Sequence, residues 1–145
     1  VGGKAYELRL SEESAGTQKL MGLAAYLMTA LERGGTVVVD ELDAKLHPKL
    51  LRYVILLFKD PEVNKSGAQL IFSSQDVSTM RNDVFRRDEI WFAARGEGEA
   101  SQLWSLADIH EANGNLVSKN AAFDKQYLSG RYGADPYLTR IEEWD

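Results

Sequence analysis

The hydrophobic period changes several times along the chain. Lys4–Leu10, KAYELRL, alternates, with Ala5 and Glu7 on one face and Tyr6, Leu8 and Leu10 on the other. A period of two predicts a strand with one buried face. Ser11–Gly16 is small and polar and predicts a loop. From Thr17 to Arg33 the period becomes helical: Leu20, Leu23, Ala24, Leu27 and Leu31 recur at spacings of three and four,. Gly34 and Gly35 stop that helix. Thr36–Val39 is short and β-branched, which predicts a strand buried on both faces. Pro48 suits the first turn of a second helix. That helix runs to Phe58, is apolar almost all round, and is expected to be well buried.

Asp60–Gly67 reads as a polar connection and Gln69–Ser73 as another central strand. QDVSTMRNDVF, residues 75–85, predicts short helical turns. Glu89–Ala93 and Gln102–Ser105, joined by a turn at Gly96–Glu99, predict a hairpin. Further on, HEANGN is a loop, Ser118–Leu128 a helix, and SGRYGADPY irregular. Strand, helix, strand, helix, strand is the order of an α/β domain with a largely parallel sheet.

Composition narrows the classes. The 145 residues, 44% hydrophobic and 27% charged, suit one globular domain,. The net charge of −5 disfavours non-specific binding to nucleic acid by the whole molecule,. With no cysteine there is no disulfide, thiolate zinc site or cysteine nucleophile,. This fits a cytoplasmic protein. No apolar run approaches the ~18–20 residues of a membrane span, and no signal-peptide pattern opens the chain. The first residue is Val1 rather than Met, so the chain is expected to be a piece of a longer protein.

Chemistry concentrates at GGTVVVDELDAKLHP, residues 34–48. Asp40 and Glu41 follow the strand directly, and Asp43 comes two residues later. Adjacent acids repel, and desolvation adds to the cost of each charge. A solvated strand end, a metal or a catalytic site would each accommodate them. In open parallel sheets ligands sit beyond the carboxyl ends of the strands. There an Asp can help hold Mg2+, a hard cation that takes carboxylate and water oxygens. The adjacent Glu can orient or deprotonate an attacking water.

Upstream, SEESAGT places Ser14 as a candidate N-cap, with the N–H groups of Gly16 and Thr17 at the helix start. Such an end can bind an anion, or be an ordinary cap. Downstream, LIFSSQD ends in polar groups, of which Gln75 or Asp76 can reach the rim that carries Asp40.

Taken together, these segments resemble the C-terminal half of an ABC-type ATPase domain of the RecF, SMC and OLD-like branch. The nearest likeness is to bacterial AAA-family ATPases of phage-defence and abortive-infection systems. The resemblance covers roughly Tyr6–Leu106, and YLSGRYGADPYL is similar to that group's tail. It implies a P-loop NTPase-like parallel sheet flanked by helices, represented by the C-terminal lobe only. Segment 1–106 would be the half that carries the signature and Walker B motifs, and 107–145 a helical or irregular tail packed on the same domain.

On this resemblance Ser14, Ala15, Gly16 and Thr17 occupy the signature motif, which contacts ATP held by the other protomer. Asp40 takes the Mg2+-holding position and Glu41 that of the catalytic base. Leu42–Pro48 takes the D-loop position at the dimer seam, which puts Asp43 and His47 beside the nucleotide. Gln75 falls where the family usually has a switch histidine. Gln can donate a hydrogen bond there but cannot carry a proton. No G-x-x-x-x-G-K-[ST] occurs in the chain, so the phosphate cradle and its Lys are missing.

The implied protein is an ATP- and Mg2+-dependent homodimer that drives a nuclease or toxin effector. Two other readings stand beside it. One is a non-catalytic interaction module with a vestigial site. The other is a Mg2+-dependent nuclease using Asp40, Glu41 and Asp43. Among the remaining residues, Arg81, Arg86 and Arg87 read as a surface balanced by Asp83 and Asp88. Trp91, Phe92 and Trp104 read as core. His47 and His110, the only histidines, are not expected to bind metal.

Overall fold

The first helix is capped where a short polar side chain can reach back to it. In the computed structural model, which describes residues 7, 9–95 and 100–134, α1 runs over Ala15–Arg33 with Ser14 as its N-cap. It begins two residues earlier than its hydrophobic period, because Ser14 satisfies a first-turn donor and allows Ala15 and Gly16 to join. At the other end Gly34, at φ 73°, donates to the Ala30 carbonyl. A Cβ at Gly34 would lie 2.5 Å from the Ser66 carbonyl oxygen, so glycine is needed there both for its φ and for space.

The strand expected over Lys4–Leu10 lies mostly outside the described residues. Its last residue, Leu10, opens a 3-10 turn, Leu10–Glu12, where the sequence predicted the end of a strand. Glu12 closes this turn by accepting from the Arg9 N–H at 2.9 Å.

The chain divides into two compact units, Val1–Thr79 and Met80–Asp145. In the first, β1 (Thr36–Val39) pairs in parallel with β2 (Gln69–Phe72). Their register is Thr36 with Gln69 through Val39 with Phe72. Between them runs α2, Pro48–Lys59, with Pro48 in its first turn as expected. The helix is not buried all round. Leu51, Val54 and Ile55 form its inward stripe, while Tyr53 is 60% exposed. Nor is β1 covered on both faces. Val38 is 73% exposed and its partner Ile71 56% exposed, whereas Val39 is buried. The side-chain period of two sends neighbouring residues to opposite faces, and among the described residues only one of these faces is well covered,.

The polar connection 60–67 is tied by one side chain. Asn64 Nδ2 donates to the carbonyls of Phe58 and Ala68, both at 2.8 Å, and its Oδ1 accepts from the Ala68 N–H.

The second unit is built on an antiparallel hairpin, β3 (Trp91–Arg95) with β4 (Ser101–Ser105). Glu89 belongs to a preceding 3-10 turn, Arg87–Glu89, rather than to the strand. The expected turn at Gly96–Glu99 lies outside the described residues. Phe92 is the hub of the unit's core. Its ring stacks on Tyr127 at 5.7 Å and packs against Tyr132 at 5.4 Å and Trp104 at 6.1 Å. Trp91 departs from expectation: alternation puts it on the opposite face, 58% exposed, with its Nε1 donating to the Asp88 carbonyl.

The helix expected over Ser118–Leu128 shrinks to α3, Phe123–Leu128. Ser118 forms a turn instead, its Oγ accepting from the Asn120 N–H and its carbonyl from the Ala121 N–H,.

Tyr132, in the tail motif SGRYG, is 4% exposed, and its hydroxyl donates to Gln126 Oε1 at 2.6 Å. Burial pushes its phenol up from 10 to about 12, with Arg131 opposing and Glu111 and Asp124 adding to the rise. A folded value above the unfolded one means the folded state holds its proton longer. Tyr132 therefore contributes stability in full below about pH 10, which is lost as pH rises from there towards 12. Denaturant midpoints of the wild type should fall across that window, and those of Tyr132→Phe should fall less. Equal falls would contradict this assignment.

Candidate functional site at the carboxyl ends of the parallel strands

Parallel pairing in this register delivers the ends of β1 and β2 side by side, with Asp40 beside Ser73. Ser73 then acts as a clamp. Its N–H donates to the Val39 carbonyl and its carbonyl accepts from the Leu42 N–H. Its Oγ accepts from the Glu41 N–H at 2.7 Å and donates to Asp40 Oδ1. Leu42 is fully buried and pins the turn from the other side. Glu41, between them, sits at φ 48°. A non-glycine residue in this region costs on the order of 1 kcal/mol and persists where its surroundings hold it.

Gln75 reaches both neighbouring acids. Its Nε2 donates to Glu41 Oε1 at 3.3 Å and its backbone N–H to Asp43 Oδ1 at 3.4 Å. Asp40 and Glu41 are exposed. The adjacent charges are therefore carried by water, by the Ser73 hydroxyl and by the Gln75 amide. Asp76, the other candidate for this rim, instead caps the turn that follows, accepting from the Ser78 N–H and hydroxyl.

The start of α1 packs against the turn after β1. Lys19 Nζ donates to the Glu41 carbonyl. A Cβ at Gly16 would lie 2.5 Å from the Lys45 carbonyl oxygen, and Lys45 itself is at φ 65°. Glycine at position 16 is therefore needed for this close approach of the Lys45 carbonyl. The Thr17 N–H does not point free. It donates to Ser14 Oγ at 3.1 Å, and the two hydroxyls lie 2.8 Å apart.

Gly16→Ala should therefore destabilise the chain. Overpacking against backbone costs about 1–3 kcal/mol, more than the ~1 kcal/mol by which Ala favours a helix interior over Gly. A lower urea midpoint is expected, and one at or above wild type would contradict the contact.

His47 caps α2, its Nδ1 accepting from the Lys49 N–H at 3.2 Å, so in the neutral ring the proton sits on Nε2. His110 Nδ1 lies 3.1 Å from the Asp108 carbonyl. Among the described residues no group of three or more His, Cys, Asp or Glu side chains converges to hold a metal ion. The triple-acid arrangement of the nuclease reading is therefore not assembled, although Asp40 remains an exposed carboxylate beside a hydroxyl.

The structure thus brings together Asp40, Glu41, Asp43 and Gln75, with α1 alongside. Ser73 and Lys19 were missed from the sequence. The signal for Ser73 is the register itself, which sets residue 73 opposite residue 40. Nothing local marks Lys19, whose contact spans 22 residues.

A family model described as "AAA domain, putative AbiEii toxin, Type IV TA system" matches residues 1–81. The chain belongs to this family. The match takes in α1, β1, α2 and β2 with every acid of the strand-end cluster, and ends two residues into the second unit. Membership agrees with the α/β architecture and its parallel strand pair, and with an AAA-type link to phage defence. No curated protein and no solved structure matches the chain. Among the described residues no helix is long and apolar enough to cross a membrane.

Proposed function

We propose that this AAA-family chain supplies part of an ATP-hydrolysing site of the ABC type, in the RecF, SMC and OLD-like branch. The observation that carries this reading is the parallel β1–β2 pair. It sets an Asp-Glu step beside a glutamine that bonds the Glu carboxylate. In the proposal Ser14, Ala15, Gly16 and Thr17 form the signature segment, Asp40 and Glu41 the Walker B pair, Asp43 and His47 lie on the D-loop, and Gln75 is the switch residue. Segment 1–106 would be the signature and Walker B half of that domain and 107–145 its tail.

The exposed Asp40 carboxylate and Ser73 hydroxyl are hard oxygen donors of the kind Mg2+ takes together with water. Bound Mg2+–ATP would supply the electrophilic γ-phosphorus. Asp40 would hold the cation. Glu41 would orient the attacking water and accept its proton. The Gln75 amide would keep the Glu41 carboxylate aimed and could offer an N–H to a phosphate oxygen. Because the Gln75 amide neither gains nor loses a proton at ordinary pH, it supports positioning rather than acid–base work.

The protein would work as a homodimer closing on ATP and driving a toxin or nuclease effector, in the cytoplasm. Glu41→Gln, in a chain that joins this segment to a P-loop, should retain ATP and lose turnover. Unchanged turnover would favour a second reading, an interaction module with a vestigial site. Glutamine at position 75, which cannot take up a proton, is what favours that alternative,.

A further inference from the structure

The second unit holds a concave face that the strand-end site does not use. It is a half-open hollow of about 470 Å3, lined by Asn82, Phe85, Arg86, Arg87, Asp88, Lys119 and Asn120. That volume is in the range of small-molecule sites, roughly 300–1,000 Å3.

Charge is distributed unevenly over it. Arg86 is neutralised: its Nε and Nη2 donate to the two Asp88 oxygens at 3.0 and 2.8 Å, and Nη1 lies 3.5 Å from Glu89 Oε1. Arg81 is neutralised by Asp83 at 3.0 Å. These are the balanced pairs that the sequence suggested. Arg87 and Lys119 are different, because neither has a carboxylate partner among the described residues.

The two unpaired cations are brought together by the fold. Arg87 Nη1 donates to the Val117 carbonyl, which anchors the guanidinium beside the segment that turns at Ser118. The Ser118 turn carries Lys119 and Asn120 at its exposed tip. A turn closed by the Arg81 carbonyl, which accepts from the N–H groups of Val84 and Phe85, carries Asn82, which lines the same hollow. The side-chain amides of Asn82 and Asn120 have no partner among the described residues.

We propose that this face binds a nucleoside phosphate. Arg87 and Lys119 take the phosphate by charge-assisted hydrogen bonds. The two free amides offer donors and acceptors to a base edge, and Phe85 gives the base an apolar wall. The site lies wholly in the second unit and does not rest on the ATPase reading.

The test is calorimetric titration of the chain with AMP, with adenosine, and with a short 5′-phosphorylated oligoadenylate. AMP should saturate, and adenosine should bind at least about tenfold more weakly, since a hydrogen bond to a charged group contributes ~1.5–3 kcal/mol. Lys119→Glu, on an exposed turn where it cannot disturb the core, should weaken AMP by about tenfold or more. Arg87→Gln should act in the same direction. Oligoadenylate binding tighter than AMP would identify a nucleic-acid end as the source, and equal or weaker binding a free nucleotide; both support the site. No saturation by either phosphate at millimolar concentration would overturn the proposal. So would adenosine binding as well as AMP, or affinity unchanged in Lys119→Glu.

Discussion

Where this segment is joined to a P-loop, Glu41→Gln should lower kcat for ATP hydrolysis by about 10²–10⁴-fold, the range that a positioned general base contributes. The substitution keeps the shape of the side chain and removes its basicity. It also leaves in place the two backbone contacts at this position, the N–H to Ser73 Oγ and the carbonyl to Lys19. The turn at φ 48° should therefore survive, and ATP affinity should change little. Steady-state rates and ATP binding measured on the same preparation separate the two effects. A matched loss of binding and rate would mean that Glu41 holds the turn rather than the chemistry.

Phe123→Ala should have the largest effect on stability. Phe123 is fully buried and belongs to the core cluster of the second unit with Phe92, Leu106, Val117 and Tyr132. Removing a buried Phe costs about 3–5 kcal/mol, from lost transfer energy and the cavity left behind. Against total stabilities of about 5–15 kcal/mol, that is a large share. Chemical denaturation followed by near-UV dichroism of the aromatic cluster is the measurement. A loss under about 1 kcal/mol would show that this core collapses around the gap or contributes little.

The sequence made the first unit readable where patterns are local. Gly34 stops α1, Pro48 opens α2, and the β-branched run Thr36–Val39 is a strand with the bounds its pattern suggests. Asp40, Glu41 and Gln75 could be placed near one another because parallel strands end on the same side. What stayed hidden depends on contacts distant in sequence or on competition between side chain and backbone. The exposure of Val38 and Ile71 reflects what packs on the sheet, which a β-branched run does not encode. Ser118 was expected inside a helix, yet its hydroxyl and carbonyl close a turn that leaves α3 six residues long. Gly16 has a packing role that the sequence does not show, because the Lys45 carbonyl occupies the place a Cβ would take. Tyr132, in a tail with no periodicity, turned out to be core.

The central claim is that the acids at the end of β1 belong to an ATP-gated dimer. Sedimentation velocity of Glu41→Gln in a chain that joins this segment to a P-loop, with and without Mg2+–ATP, tests it most directly. The account predicts a shift from monomer to dimer on adding ATP, with unhydrolysed ATP sedimenting with the dimer. An unchanged sedimentation coefficient with no ATP carried along would contradict it.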